Sequence, residues 1–216
     1  MNHSSALHSS PMFQIVATVC LLGLSLSAFA HETEQKTTDP GFRPQSEYAA
    51  GFLDTVGTAK IAVLPTLVRR DDRTAHSFAS QQQIVAFLNE SGIATATANR
   101  RRVDLGPLRR TSQWEIFQWG AELIAEKLVG YETGVDYTLV MELLVPGDQA
   151  VFGIEVYIID RQGHSAFSFL LNSHHQTFVD AKLVAEGSSE AARAKMIETA
   201  TRVGVKALKA QIDQSR

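Results

Sequence analysis

Cysteine is nearly absent. Cys20 is the only one, and it lies inside an apolar segment near the amino terminus. If that segment is removed, the remaining chain has no thiol. That excludes disulfides, thiolate metal sites and thiol nucleophiles, and it suits an oxidising envelope compartment. Strong charge of either sign is lacking too: the formal net charge is −3, which argues against a general nucleic-acid binder. The chain has no Gly-rich phosphate loop and no G-x-S-x-G, H-E-x-x-H or C-x-x-C motif, so no cofactor is implied and no motif names a nucleophile. Internal repeats are missing as well. Residues 1–30 hold no Lys or Arg, so the charged start of an ordinary secretory signal is absent.

The apolar segment Met12 to Phe29 nonetheless ends in Ala28-Phe29-Ala30, a small-x-small site before His31. It reads as a secretory signal peptide over 1–30, which predicts a periplasmic or secreted protein. The structural alternative is a retained anchor. Gln14 and Thr18 interrupt the apolar run, so it falls short of a convincing span, and no stable membrane span is expected after cleavage. Residues 31–57 read as a flexible leader, polar over 31–46, with Tyr48 to Val56 fitting a short helix. Residues 58–216 are expected to form a single domain.

The centre of that domain is a predicted meander, Tyr137–Val145, Val151–Ile159 and His164–His174. Leu139, Met141 and Leu143 alternate with Val140, Glu142 and Leu144, a period of two. Turns at Gly147-Asp148 and Gly163 predict Met141 opposite Ile154 and Val156 opposite Phe167. Phe152 then joins the apolar face, opposite Leu171. The other face carries Glu142, Glu155, Tyr157, Ser168 and His174, and reads as a half-solvated surface. Upstream, Lys60–Pro65 reads as a buried strand, Arg69 to Arg73 as a charged loop, Ser77 to Glu90 as a helix, and Ile93–Ala98 as a strand. Ser112-Gln113-Trp114-Glu115 is a capping box opening a helix to Val129. Ser188 or Ser189 starts a last helix. The order β-α-β-α-β-β-β-α predicts a mixed sheet with helices packed on it, α/β bordering on α+β: parallel first, then an antiparallel meander.

The sharpest chemical signal is arginine. Arg69, Arg70 and Arg73 follow the first strand, and Arg100, Arg101, Arg102, Arg109 and Arg110 follow the second. Parallel strands joined by a crossover place both loops at one carboxyl edge, where open sheets bind ligands. Guanidinium suits bidentate contact with carboxylate or phosphate. The bland alternative is a set of solvated loops balanced by Asp71, Asp72 and Asp104. His174 and His175 are adjacent in a predicted strand, so their rings would point to opposite faces and not share a metal.

Lys60–Pro65, Ala121–Gly130 leading into Asp136-Tyr137, and Ile158-Ile159-Asp160-Arg161-Gln162-Gly163 carry a resemblance. The chain resembles the periplasmic family that includes CsgG, the penicillin-binding-protein activator LpoB and the amino-terminal domain of TolB. Unlike CsgG and LpoB it has no lipidated cysteine. The resemblance implies an envelope accessory or assembly role and no catalytic set. The expectation is therefore a non-catalytic protein binding an envelope protein or an anionic envelope component through the arginine edge. The alternatives are a hydrolase-type enzyme on the Glu142, Glu155, Tyr157, Ser168, His174 face, or a small-molecule binding module.

Overall fold

The computed structural model describes residues 48–105, 122–128 and 134–216. The proposed signal segment, most of the leader, Trp114 and the capping box, Arg109 and Arg110 lie outside them.

Strand β5, Tyr137–Leu144, is the spine of a mixed sheet. Its β-branched and apolar residues favour an extended chain, and period-two alternation gives it two distinct faces. On one side it pairs antiparallel with β6, Gly153–Asp160, which pairs antiparallel with β7, Ser165–Asn172. On the other side two short parallel strands lie end to end along it. Strand β1, Lys60–Val63, runs along Tyr137–Leu139, and β2, Thr66–Arg69, runs along Glu142–Leu144. Pro65 separates them because it has no N–H to donate to the ladder. Leu64 N keeps the line continuous with a 3.0 Å bond to the Leu139 carbonyl. Strand β3, Thr74–Ser77, folds back antiparallel on β2, and β4, Thr95–Ala98, lies parallel to β1.

The expected mixed α/β architecture with helices on the sheet is present, and several local expectations are corrected. Where the sequence predicts a charged loop after Pro65, the chain makes β2 and β3. Thr66, Leu67 and Val68 are all buried, so Pro65 interrupts the strand without ending it. Asp71-Asp72 forms the tip of the hairpin, closed by Arg70 N to the Arg73 carbonyl at 2.9 Å.

The meander register also differs. Met141 faces Val156, and Val156 faces Phe169, a slip of two residues in each hairpin. The first connection is longer than a tight turn. Pro146–Asp148 forms a 3-10 turn in which Gly147 and Asp148 both adopt positive φ. Val151 N then bonds the Leu183 carbonyl at 2.9 Å. In the second connection the Asp160 carboxylate accepts from Gln162 N and His164 N. The register shift between Ile158 and Ile159 leaves Ala166 as the extra residue of a bulge. An even slip preserves faces, so Leu139, Met141, Leu143, Ile154, Val156, Ile158, Phe167, Phe169 and Leu171 all enter one core. Phe152 does not. It precedes β6 and is 55% exposed.

That first face is covered by α1 (Ala49–Thr55), α2 (Phe78–Glu90) and the long α5 (Glu190–Ser215). Ser77 Oγ accepts from Ser80 N at 3.2 Å to start α2, and Ser189 Oγ accepts from Ala192 N at 3.1 Å to start α5. A short helix α4, Gln176–Asp180, follows β7. The second face is covered as well, against the expectation of a half-solvated surface. Ile124, Ala125 and Leu128 of helix α3 (122–128), with Val103, close over Leu64, Leu67, Val140, Tyr157, Ile159 and Leu170. No described helix is long and apolar enough to cross a membrane.

Candidate functional site

The six of these arginines that lie among the described residues do not form one edge. Arg69 ends β2 on the second face of the sheet, and its side chain is 8% exposed. Its Nη1 donates to Glu142 Oε1 at 2.9 Å. Arg69 is therefore an internal ion-pair partner and not a loop residue. Arg70 Nε lies 2.9 Å from Asp148 Oδ1, and Arg73 Nη1 lies 3.5 Å from Asp72 Oδ2. Both flank the β2–β3 tip, a four-residue strand, roughly 13 Å, from Ser77. The Arg100–Arg102 loop leaves the carboxyl end of β4 instead.

At that end Arg100 and Arg102 are exposed. Neither pairs with a carboxylate among the described residues. They line a cavity of about 670 Å³ with Phe78, Gln81, Gln82 and Ala98. The loop has defined anchors. Buried Gln81 donates from Nε2 to the carbonyls of Val63 and Asn99, both at 2.6 Å. Asn99 N bonds the Val63 carbonyl at 2.9 Å, and Asn99 Oδ1 accepts from Arg101 N at 2.8 Å. Arg101 turns away from its neighbours and donates from Nη2 to the Lys127 carbonyl. The Arg102 guanidinium carbon stands 5.3 Å from the Phe78 ring centroid, a cation–π contact that orients the group. The oriented Arg102 guanidinium and the exposed Arg100 beside the Phe78 ring form a recess for an anion. Gln81 is the residue sequence reading missed here. Its signal was a polar side chain on the buried stripe of α2, next to Ile84.

The second constellation is internal. Glu142 and Glu155 are directly opposed in the β5–β6 register and fully buried. Tyr157, also buried, donates from Oη to Glu155 Oε2 at 2.5 Å. Glu142 Oε2 and Glu155 Oε1 have no hydrogen-bond partner among the described residues. Burial raises the Glu142 carboxyl above its ordinary range, opposed by the adjacent Arg69. Burial raises Glu155 much further, and the Glu142 charge adds to the effect. Burial likewise holds Tyr157 neutral, well above its ordinary range. The buried Ser168 pairs in register with Tyr157, not with Glu155. His174 is not on this face. Strand β7 ends at Asn172, and His174 sits exposed in the following turn, its N–H bonded to Asn172 Oδ1. Among the described residues no three His, Cys, Asp or Glu side chains are grouped to hold a metal ion. Neither the protein-family models nor the curated proteins compared with this chain give a match.

Proposed function

We propose that this protein is a secreted or periplasmic envelope accessory protein, non-catalytic, that binds an anionic partner in the recess at the end of β4. The observation that carries the proposal is that Arg100 and Arg102 are solvent-facing, have no carboxylate partner among the described residues, and line one recess in which Arg102 is oriented against Phe78. Charge runs on a surface are usually balanced or splayed, as Arg70 and Arg73 are here. Among the described residues no carboxylate balances Arg100 or Arg102, and both line the same recess. The envelope location rests on the Met12–Ala30 segment and on the resemblance to the CsgG, LpoB and TolB family. The face a hydrolase would use is covered: Glu142, Glu155 and Tyr157 are all 0% exposed.

The test is capture of envelope components and of vesicles rich in anionic lipid by the immobilised full chain, beside R100E/R102E. A charged hydrogen bond contributes about 1.5–3 kcal/mol, so reversal of both charges is expected to weaken capture by at least about tenfold. Raising the salt to about 0.5 M should weaken wild-type capture as well. The melting temperature should hardly change, since both side chains are at the surface. Equal capture by the two proteins, or specific capture by neither, refutes the proposal.

A further inference from the structure

The Arg69, Glu142, Glu155, Tyr157 cluster has no part in the anion-binding recess, and its composition is unusual for a structural core. Two carboxyls face each other across a strand pair, one guanidinium serves one of them, and one oxygen of each is left without a donor. Opposed residues in an antiparallel ladder have Cβ atoms about 4.5–5.5 Å apart. Two anions at that separation, without water, repel strongly, and one cation balances only one of them. The pair is therefore electrically matched when it holds one proton. Arg69 bonds Glu142, so the proton belongs on Glu155, beside the neutral Tyr157. The burial-driven rise in the Glu155 carboxyl agrees with that placement.

We propose that the Glu142–Glu155 pair is a one-proton lock on the second face of the sheet: with the proton in place the face stays sealed under α3, and loss of the proton releases α3. Ionised Glu155 requires water, and among the described residues the cover over this face is the smaller cluster. Among its described residues helix α3 contributes Ile124, Ala125 and Leu128 to the small core, whereas α2 and α5 share the large core on the other face. Among the described residues on this face, strand β2 supplies Arg69, β6 supplies Tyr157, and β7 supplies Ser168, Leu170 and Asn172, with the buried His175 ring 3.1 Å from Asn172 Oδ1. Helix α3 turns Ile124, Ala125 and Leu128 inward and keeps Glu122, Leu123, Glu126 and Lys127 exposed. Strand β3 brings His76, whose Nε2 lies 2.9 Å from the Val103 carbonyl oxygen. That bond needs only the Nε2 proton, which neutral and charged imidazole both carry. Release of α3 would also free the Lys127 carbonyl from Arg101, so the lock reaches the loop that carries Arg100 and Arg102.

The test is hydrogen–deuterium exchange of the full chain from pH 6 to 10, corrected for intrinsic base catalysis. Protection of residues 122–128 is compared with that of α5. In the wild type the ratio should fall above a threshold pH, by up to about tenfold per pH unit. In E155Q, which keeps a neutral side chain of the same shape, the ratio should stay flat. A flat wild-type ratio over the whole range overturns the proposal, and so does an equal fall in E155Q. The wild-type profile decides alone if the variant folds poorly. Neither result depends on capture of any partner by the arginine recess.

Discussion

Arg69→Met should be among the most destabilising single substitutions in the described chain, costing about 3–5 kcal/mol near neutral pH. Methionine fills the space of the arginine stem, so the loss is not a cavity effect. It arises because Glu142 loses the one cation among the described residues that bonds it, and Glu155 loses the same nearby positive charge. For a chain of this length the melting temperature should drop by roughly 10–15 °C. The pH dependence gives the cause away. A carboxyl whose folded-state pKa is raised contributes stability that is fully present below its ordinary range. That contribution is lost as pH climbs toward the folded value. Both carboxyls would be raised in the variant, Glu142 no longer being held down by Arg69. The deficit should therefore be small near pH 4 and grow toward pH 8. R69M/E142Q should recover part of the loss, since it removes cation and anion together. Thermal melts of wild type, single and double variants at both pH values check this. A deficit independent of pH, or a double variant worse than R69M, would show that Arg69 acts by packing alone.

That ion pair also marks where sequence reading stopped. The faces of the meander were legible because alternation is a parity, and parity survives an error of two residues. Met141 and Ile154 entered the predicted core although they do not face each other as predicted. Turn length was not legible. Asp148, a residue without glycine's freedom, takes positive φ, and two residues on Ala150 pairs with Val184 far along the chain. Strands β2 and β3 were hidden by Pro65 and by the polar composition of Arg69 to Arg73, which locally reads as loop. The second face looked wet because Glu142, Glu155 and Ser168 are polar, yet Val140, Leu144 and Leu170 beside them already argued for a cover. Glu142 is separated from Arg69 by 73 positions, a pairing no local pattern reveals. At the recess, the Arg100–Arg102 cluster was legible as charge, and its separation from Arg70 and Arg73 required the β2–β3 hairpin.

Gly204→Leu should cost about 3 kcal/mol, by overpacking and not by backbone strain. Gly204 lies within α5, where glycine by itself is unfavourable relative to alanine by about 1 kcal/mol. Its presence follows from how closely the helix meets the meander. A Cβ built there falls 2.8 Å from Met141 Cε and 2.9 Å from Ile154 Cγ2. The methionine end can swing aside. The isoleucine branch is fixed at its own Cβ and cannot, so even Ala should lose more in contact than it gains in helix propensity. A leucine drives α5 off β5 and β6, and with it the packing of Met196, Ala200 and Leu208 on the large core. Melting temperature should fall by roughly 6–12 °C. Met141→Ala, destabilising alone, should partly rescue Gly204→Leu, because the two side chains compete for one volume and their effects are not additive. Additive losses would mean that α5 tolerates the displacement and that its approach to the sheet is not set at Gly204. The same displacement leaves the second face untouched, so exchange protection of residues 122–128 should follow the global melt in this variant, in contrast to its selective loss at high pH in the wild type.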